Sequence, residues 1–388
     1  MKAGDTAISF THNARSSLGI EVELHLVDQE TGELVSASEE ILAEMSSGHP
    51  GGEHPKAKHE LFQSTVEIIT GVCATADEAH RDLRATLDEL TALAGPRGIV
   101  PISSGTHPFS LASTQLVSPN PRYHQLIEDM QWPARRLLIC GMHVHVGVES
   151  GEQSITVVNE LTRHLPLLLA LSASSPYFEG EDSGLASARS KVFESLPTAG
   201  LPPQIADWLD FEAFMGTLLD TACISSIREV WWDIRPHPDF GTVELRMCDA
   251  TPTLSEATAL AALSQCLVEW TKRHLAAGTL PPAPREWTVR ENRWFASRYG
   301  LDAEVIVEDV EAGEVSRRRL RDIAVETVAE LAPIAVELEC TAELDGVLRI
   351  LEVGSGTERQ RRIIREGGTL VDVVHHLAHE LADDVPRR

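Results

Sequence analysis

The chain of 388 residues carries 59 acidic against 33 basic side chains, a formal net charge of −26, and is 43 % hydrophobic. That balance supplies apolar surface for a sizeable core and argues against a partner gripped by its phosphate backbone, so no nucleic acid is expected. Six scattered cysteines with no CxxC argue against a zinc ribbon or dithiol redox site. The N-terminus lacks a signal-type apolar segment and no run approaches the roughly 18 apolar residues of a membrane span, so no membrane partner is expected. The expectation is a reduced, cytoplasmic enzyme, one catalytic domain over 1–388 with a helical C-terminal part from about 285.

The first predicted element is a strand, "LGIEVELHLVD" (residues 18–28), followed by a second, "ELFQSTVEIIT" (60–70). Leu83, Leu87 and Leu90 then recur at helical spacing, and "GIVPISSG" reads as a short strand. It opens a long loop, 105–133, punctuated by Pro108, Pro119 and Pro121 and long enough to be functional rather than a connector. "CGMHVHVGV" is a strand, "QSITVVNELTRHLPLLLALSAS" a largely buried helix, and 172–203 a loop-rich segment. A helix over 205–219 precedes two strands, "REVWWDIRP" and "GTVELRMCD". "SEATALAALSQCLVEWTKRHLAAG" is a long helix capped by its serine, "LPPAP" breaks the chain at 280–284, and the remainder is mostly helical. Strands and helices intermingle without strict βαβ alternation. The predicted class is therefore α+β, a mostly antiparallel sheet with helices on one face.

Polar residues recur where these strands should be apolar. Side chains alternate along a strand, so Glu21 and Glu23 share a face, as do His143 and His145, with Met142, Val144 and Val146 turned away. Glu244 and Arg246 repeat the spacing, Glu67 lies inside "STVEIITG" with Glu60 at the start of that segment, and Arg235 ends "WWDIRP". Each pair alone is what a half-solvated sheet shows. Together they put Glu21, Glu23, Glu67 and Glu244 on one face with two histidines and an arginine, a face that repels itself unless it is open to water or holds cations. Carboxylates suit Mg²⁺ or Mn²⁺, either of which tolerates an imidazole per site. Several such ions on a carboxylate floor are the means of holding a nucleotide triphosphate, with arginines on its phosphate oxygens. The rivals are a metal-dependent amidohydrolase, which would need further histidines at the ends of a parallel barrel, and a non-catalytic or kinase-like protein of the same architecture.

The segments "GIEVELHLVDQETGEL", "STVEIITGVC", "CGMHVHVGV", "LSASSPYFEGEDSGLASARSKVFESLPTAGLPP", "WWDIRPHPDFGTVELRMCD" and "RENRWFASRYGLDA" closely resemble, in order, the bacterial carboxylate–amine ligases known as type 2 glutamate–cysteine ligases. The likeness runs from Leu18 to "ERQRRIIREGGTLVDVVHHL". More distantly, "GMHVH" and "VELR" are similar to strands of glutamine synthetase. The resemblance implies a glutamine synthetase-like fold, a curved antiparallel funnel. It implies ATP-dependent joining of an acid, glutamate or another amino acid, to an amine through an acyl phosphate. It would give Glu21, His143 and Glu244 the cation bridging the ATP phosphates, and Glu23, Glu60 and Glu67 the cation nearer the acyl acceptor. Arg235 and Arg246 would stabilise the transferred phosphoryl group, with Arg246 also touching the nucleotide and His145 touching its phosphates or a metal-bound water. A homodimer is implied as well. Two departures stand out: Val22 lies between Glu21 and Glu23 where many members have a third glutamate, and Leu185 and Ala188 replace tyrosines often seen in "SGLASAR". Loops 105–133 and 172–203 are the candidate lids that would keep water from the acyl phosphate.

Overall fold

The computed structural model describes residues 8–309 and 313–387. The first half contains β1 (Leu18–Asp28), α1 (Ser38–Ser46), β2 (Ala57–His59), β3 (Thr65–Ile69), α2 (Ala76–Ala94) and β4 (Ile99–Ile102). It continues with α3 (Pro121–Met130), β5 (Met142–Gly147), α4 (Gly151–Leu161), α5 (Leu165–Ser172), the small hairpin β6 (Tyr177–Phe178) and β7 (Glu181–Asp182), and α6 (Ala188–Phe193). Then come α7 (Trp208–Asp220), β8 (Ile234–His237), β9 (Thr242–Leu245), α8 (Leu254–Ala277) and α9 (Glu286–Tyr299). A hairpin, β10 (Glu304–Asp309) and β11 (Glu314–Arg319), leads to α10 (Leu320–Glu337), α11 (Thr341–Val353), α12 (Gly356–Arg365) and α13 (Leu370–Asp383).

Alternation builds the central sheet. Leu18, Ile20, Val22 and Leu24 of β1 are buried, as are Met142, Val144 and Val146 of β5 and Val243 and Leu245 of β9. They form one apolar layer with Leu83, Leu87 and Leu90 of α2, Val157 and Leu161 of α4, and Leu260, Leu263 and Leu267 of α8. The strand order is β2-β3-β1-β5-β9-β8, with β4 also paired to β1, and every pairing is antiparallel. Helices cover one face and leave the other for the polar residues, the α+β arrangement the alternation predicts. Among the described residues no helix is long and apolar enough to cross a membrane.

Several elements differ from expectation. Of the strand expected over 60–70 only β3, 65–69, forms, because 60–64 turn between β2 and β3, and the Gln63 and Ser64 carbonyls accept from Ala37, Ser38 and Leu26. The loop 105–133 contains α3, started by the Asn120 side chain accepting from Arg122 N at 2.9 Å with Pro121 at the first helical position. Of "REVWWDIRP" (228–236) only 234–236 belong to β8, since Val230 and Trp232 are drawn into a separate apolar cluster with Phe211 and Met215 of α7. The cap of α8 is Thr253, whose hydroxyl accepts from Glu256 N, not the serine two residues later. The C-terminal part carries the β10–β11 hairpin besides its helices. The segment "EVIVEDVEAGEV" (304–315), acidic enough to be expected as solvated surface, includes residues 310–312, which lie outside the described ones.

Candidate active site

Register places the polar residues in rows. Directly opposed residues of antiparallel strands share a face. Glu67 stands opposite Glu23, His143 opposite Glu21, Glu244 opposite His145, and Arg235 opposite Glu244. Glu21, Glu23, Glu60, Glu67, Glu244, His143, His145, Arg235 and Arg246 all line a single cavity of about 1160 Å³. Every site residue expected from the sequence lies on this wall. Glu60, just beyond β2, reaches it from the turn rather than from a strand.

Two electrostatic halves share the floor. On one, Glu244 accepts from Arg235 Nε at 2.7 Å and from Arg246 Nη1. Burial pushes its carboxyl upward, but the two arginines win and hold it well below the usual range. His143 Nδ1 lies 2.8 Å from Glu21 Oε2, and His145 Nε2 lies 3.4 Å from Glu21 Oε1 and 4.0 Å from Glu244 Oε1. The other His145 nitrogen meets Thr242 Oγ1 at 3.0 Å. Burial works on Glu21 too, yet the hydrogen bonds to both histidines depress it. On the other half Glu23, Glu60 and Glu67 crowd together, and among the described residues no arginine pairs with them. Loss of solvent and then mutual repulsion raise Glu60 to about 8 and Glu67 well above the carboxylate range. Such groups share a cavity comfortably only around cations.

The donor atoms suit them. One atom from each of Glu21, His145 and Glu244 lies within 4.8 Å of the others, and the same holds for Glu21, Glu67 and His143, and for Glu23, Glu60 and Glu67. These sets are oxygen-rich with at most one imidazole, the chemistry of Mg²⁺ or Mn²⁺. They differ from the expected trio of Glu21, His143 and Glu244: His145 groups with Glu21 and Glu244, and His143 with Glu21 and Glu67.

Sequence reasoning missed much of the surrounding wall. α3 contributes Tyr123 and Leu126, and α6 contributes Arg189 and Phe193. Arg189 is 3 % exposed, with Nη1 and Nη2 each 3.3 Å from the Met247 and Arg246 carbonyls respectively. A Cβ on Gly141 would fall 2.0 Å from Nη2, so only glycine leaves this guanidinium its place. At one end the β8–β9 turn presents Phe240, 56 % exposed, stacked on His237 with ring centroids 4.2 Å apart. The one signal for it is a large aromatic at the tip of the turn "HPDFG".

This architecture is found in amide-forming ligases. Over 96 % of the chain it overlays 90 % of a glutamate–cysteine ligase from Francisella tularensis, solved in complex with AMP, with TM-score 0.68 at 12 % identity. A bifunctional glutathione synthetase from Pasteurella multocida matches with TM-score 0.63 and 14 % identity, covering 95 % of this chain and 52 % of that one. At those identities the likeness is one of fold. The sequence settles the family: residues 17–376 match the model of glutamate–cysteine ligase family 2, to which the chain belongs. A protein of Thermobifida fusca named "Putative glutamate--cysteine ligase 2" is 49 % identical over 379 residues, covering 98 % of this chain and 94 % of that protein. One from Frankia alni, named "Putative glutamate--cysteine ligase 2-1", is 50 % identical over 375 residues, 96 % and 97 % of the two chains.

Proposed function

We propose that this chain uses ATP to activate the carboxylate of an amino acid, glutamate foremost, and joins it to an amine, with the phosphoryl transfer taking place over the carboxylate floor. The observation that carries the reading is the coincidence of three overlapping cation-competent donor sets with Arg235 and Arg246 in one cavity. ATP-dependent ligation is the chemistry of its family.

A carboxylate does not react with an amine directly because its leaving group would be oxide. An oxygen of the acid attacks the γ-phosphorus of ATP and ADP departs, leaving an acyl phosphate. The amine nitrogen then attacks the carbonyl carbon, loses a proton, and inorganic phosphate leaves. Bound Mg²⁺ or Mn²⁺ would neutralise phosphate charge, held by Glu21, Glu244 and an imidazole on one side and by Glu23, Glu60 and Glu67 on the other. The imidazole is His145 on donor geometry and His143 on the resemblance, and alanine variants of the two separate these assignments. Arg246 and Arg235 are tied to Glu244 and turn toward phosphate oxygens as charge is redistributed, while the rigid sheet holds donors where charge develops. The base of ATP lies over the face of Phe240 not stacked on His237, a large and exposed apolar surface in the cavity lining. α3 and α6 roof the reaction against water, one from each of the two predicted lid segments.

The test is ADP release with Mg-ATP and a panel of amino acids, each alone and then paired with amines, with products identified by mass. A product lighter by one water than acid plus amine supports ligation and names both substrates. A phosphorylated single substrate would convert the reading to a kinase. No ADP with any pairing, from folded protein, would overturn it.

A further inference from the structure

A second nitrogen-bearing donor cluster lies outside the cavity, in the turn between α1 and β2. The segment "SGHPGGEHPK", residues 47–56, folds back on itself at Gly51 (φ 95°) and Gly52 (φ 75°), conformations that favour glycine. Ser46 organises it: His49 N donates to its carbonyl at 3.0 Å and His54 N to its hydroxyl at 2.9 Å, while Gly52 N donates to the His49 carbonyl at 3.2 Å. The His49 and His54 rings meet at 4.6 Å, and Glu89 of α2 closes the third side with Oε2 3.5 Å from His54 Nε2. One donor atom from each of the three lies within 4.8 Å of the others. His54 is 6 % exposed, and loss of solvent lowers its pKa despite Glu89, so its ring is neutral near pH 7.

We propose that His49, His54 and Glu89 form a binding site for a borderline transition-metal ion of the Zn²⁺ class, with water completing the coordination. Two imidazoles and one carboxylate select Zn²⁺ or Co²⁺ over Mg²⁺, the reverse of the oxygen-rich cavity floor. Ligation through His54 Nε2 moves the ring proton to Nδ1 and gives up the 3.2 Å hydrogen bond from Lys56 N, a small loss against a metal–imidazole bond. The bound ion fastens the turn to α2. That turn leads directly into β2, whose Lys58, with Glu60 just after it, lines the cavity, so the site braces one active-site wall from behind.

The experiment titrates Co²⁺ into the chelator-stripped full chain in excess Mg²⁺, then competes it with Zn²⁺. One equivalent should produce the visible absorption of a nitrogen-containing site of low coordination number. Loss of supporting partners alone costs 10–100-fold in affinity, so His54→Ala and Glu89→Gln should each weaken binding at least about 100-fold. His143→Ala/His145→Ala should keep the band. Glu89 is half exposed, so its variant tests the site without disturbing the core, and Zn²⁺ should raise Tm in the wild type but not in Glu89→Gln. The proposal fails if folded wild type shows no such band, or if the band survives in His49→Asn/His54→Ala.

Discussion

Of the five carboxylates on the cavity floor, Glu244 and Glu67 make opposite predictions when each is replaced by glutamine. Glu244 is the shared counter-charge of Arg235 and Arg246, both close to nine-tenths buried. Glu244→Gln leaves two adjacent guanidinium groups unneutralised, and removing one partner of a buried pair costs about 3–5 kcal/mol. Taking about 3 kcal/mol, because Glu21 remains nearby, and roughly 2 °C per kcal/mol for a chain of this size, Tm should fall by about 6 °C. Among the described residues no arginine is paired with Glu67, and loss of solvent, then the neighbouring Glu21, Glu60 and Glu23, raise its carboxyl well above the usual range. A neutral amide removes a charge that this surrounding disfavours, so in a chelator Glu67→Gln should unfold within about 2 °C of wild type.

Restoring Mg²⁺ reverses the comparison. A ligand at 100 times its Kd stabilises the wild type by about 2.7 kcal/mol, or about 5 °C, and Glu67→Gln should lose most of that gain. Neither variant should form ADP. Thermal unfolding with and without chelator reads all four states. A Glu67→Gln protein as unstable in chelator as Glu244→Gln would refute the division of the floor into a paired half and a repelling half.

Phe240→Ala removes the proposed base platform. Base–aromatic stacking is worth about 1–3 kcal/mol, so calorimetry should show ATP binding weakened roughly 5- to 150-fold while inorganic tripolyphosphate binds as before. His107 sets part of the acid limit. Its Nε2 donates to the Gly32 carbonyl at 2.8 Å and its Nδ1 accepts from Ser110 N at 2.9 Å, so no face is left for a second proton. Burial lowers its pKa from 6.5 to about 4. The fold favours the neutral ring, so its contribution is complete above pH 6.5 and is lost by about 1.4 kcal/mol per unit as pH falls toward 4. Denaturant titrations across that range should show the slope, flattened in His107→Gln. Arg359 makes a bidentate pair with Glu256 at 2.8 and 2.9 Å and an Nε contact with Glu380 at 2.7 Å, all three buried. Arg359→Leu strands two carboxylates, and a denaturant midpoint shift worth about 3 kcal/mol or more should follow.

What was legible in the sequence was whatever period two encodes. The alternation of β1, β5 and β9 gave both the buried layer and the polar row from single letters, because a strand's two faces are written into consecutive residues. What adds depth to the site is not periodic. Pro121 reads as punctuation in a loop, whereas behind Asn120 it starts a helix, and so α3, which contributes Tyr123 to the cavity wall, escapes the pattern. Arg189 could not be ranked above any other arginine, because what makes it part of the cavity is the missing side chain of Gly141, 48 residues earlier. Donor sets have the same character. The spacing of His143 and His145 fixes that they share a face, whereas which of them closes a ring with Glu21 and Glu244 depends on cross-strand register, and register is a property of the sheet. A motif of alternating acids and histidines therefore specifies a polar, carboxylate-rich floor more securely than it specifies which side chains meet across it. Exchanging His143 and His145 separately for alanine is the perturbation to which the floor as a whole is least sensitive and the assignment most.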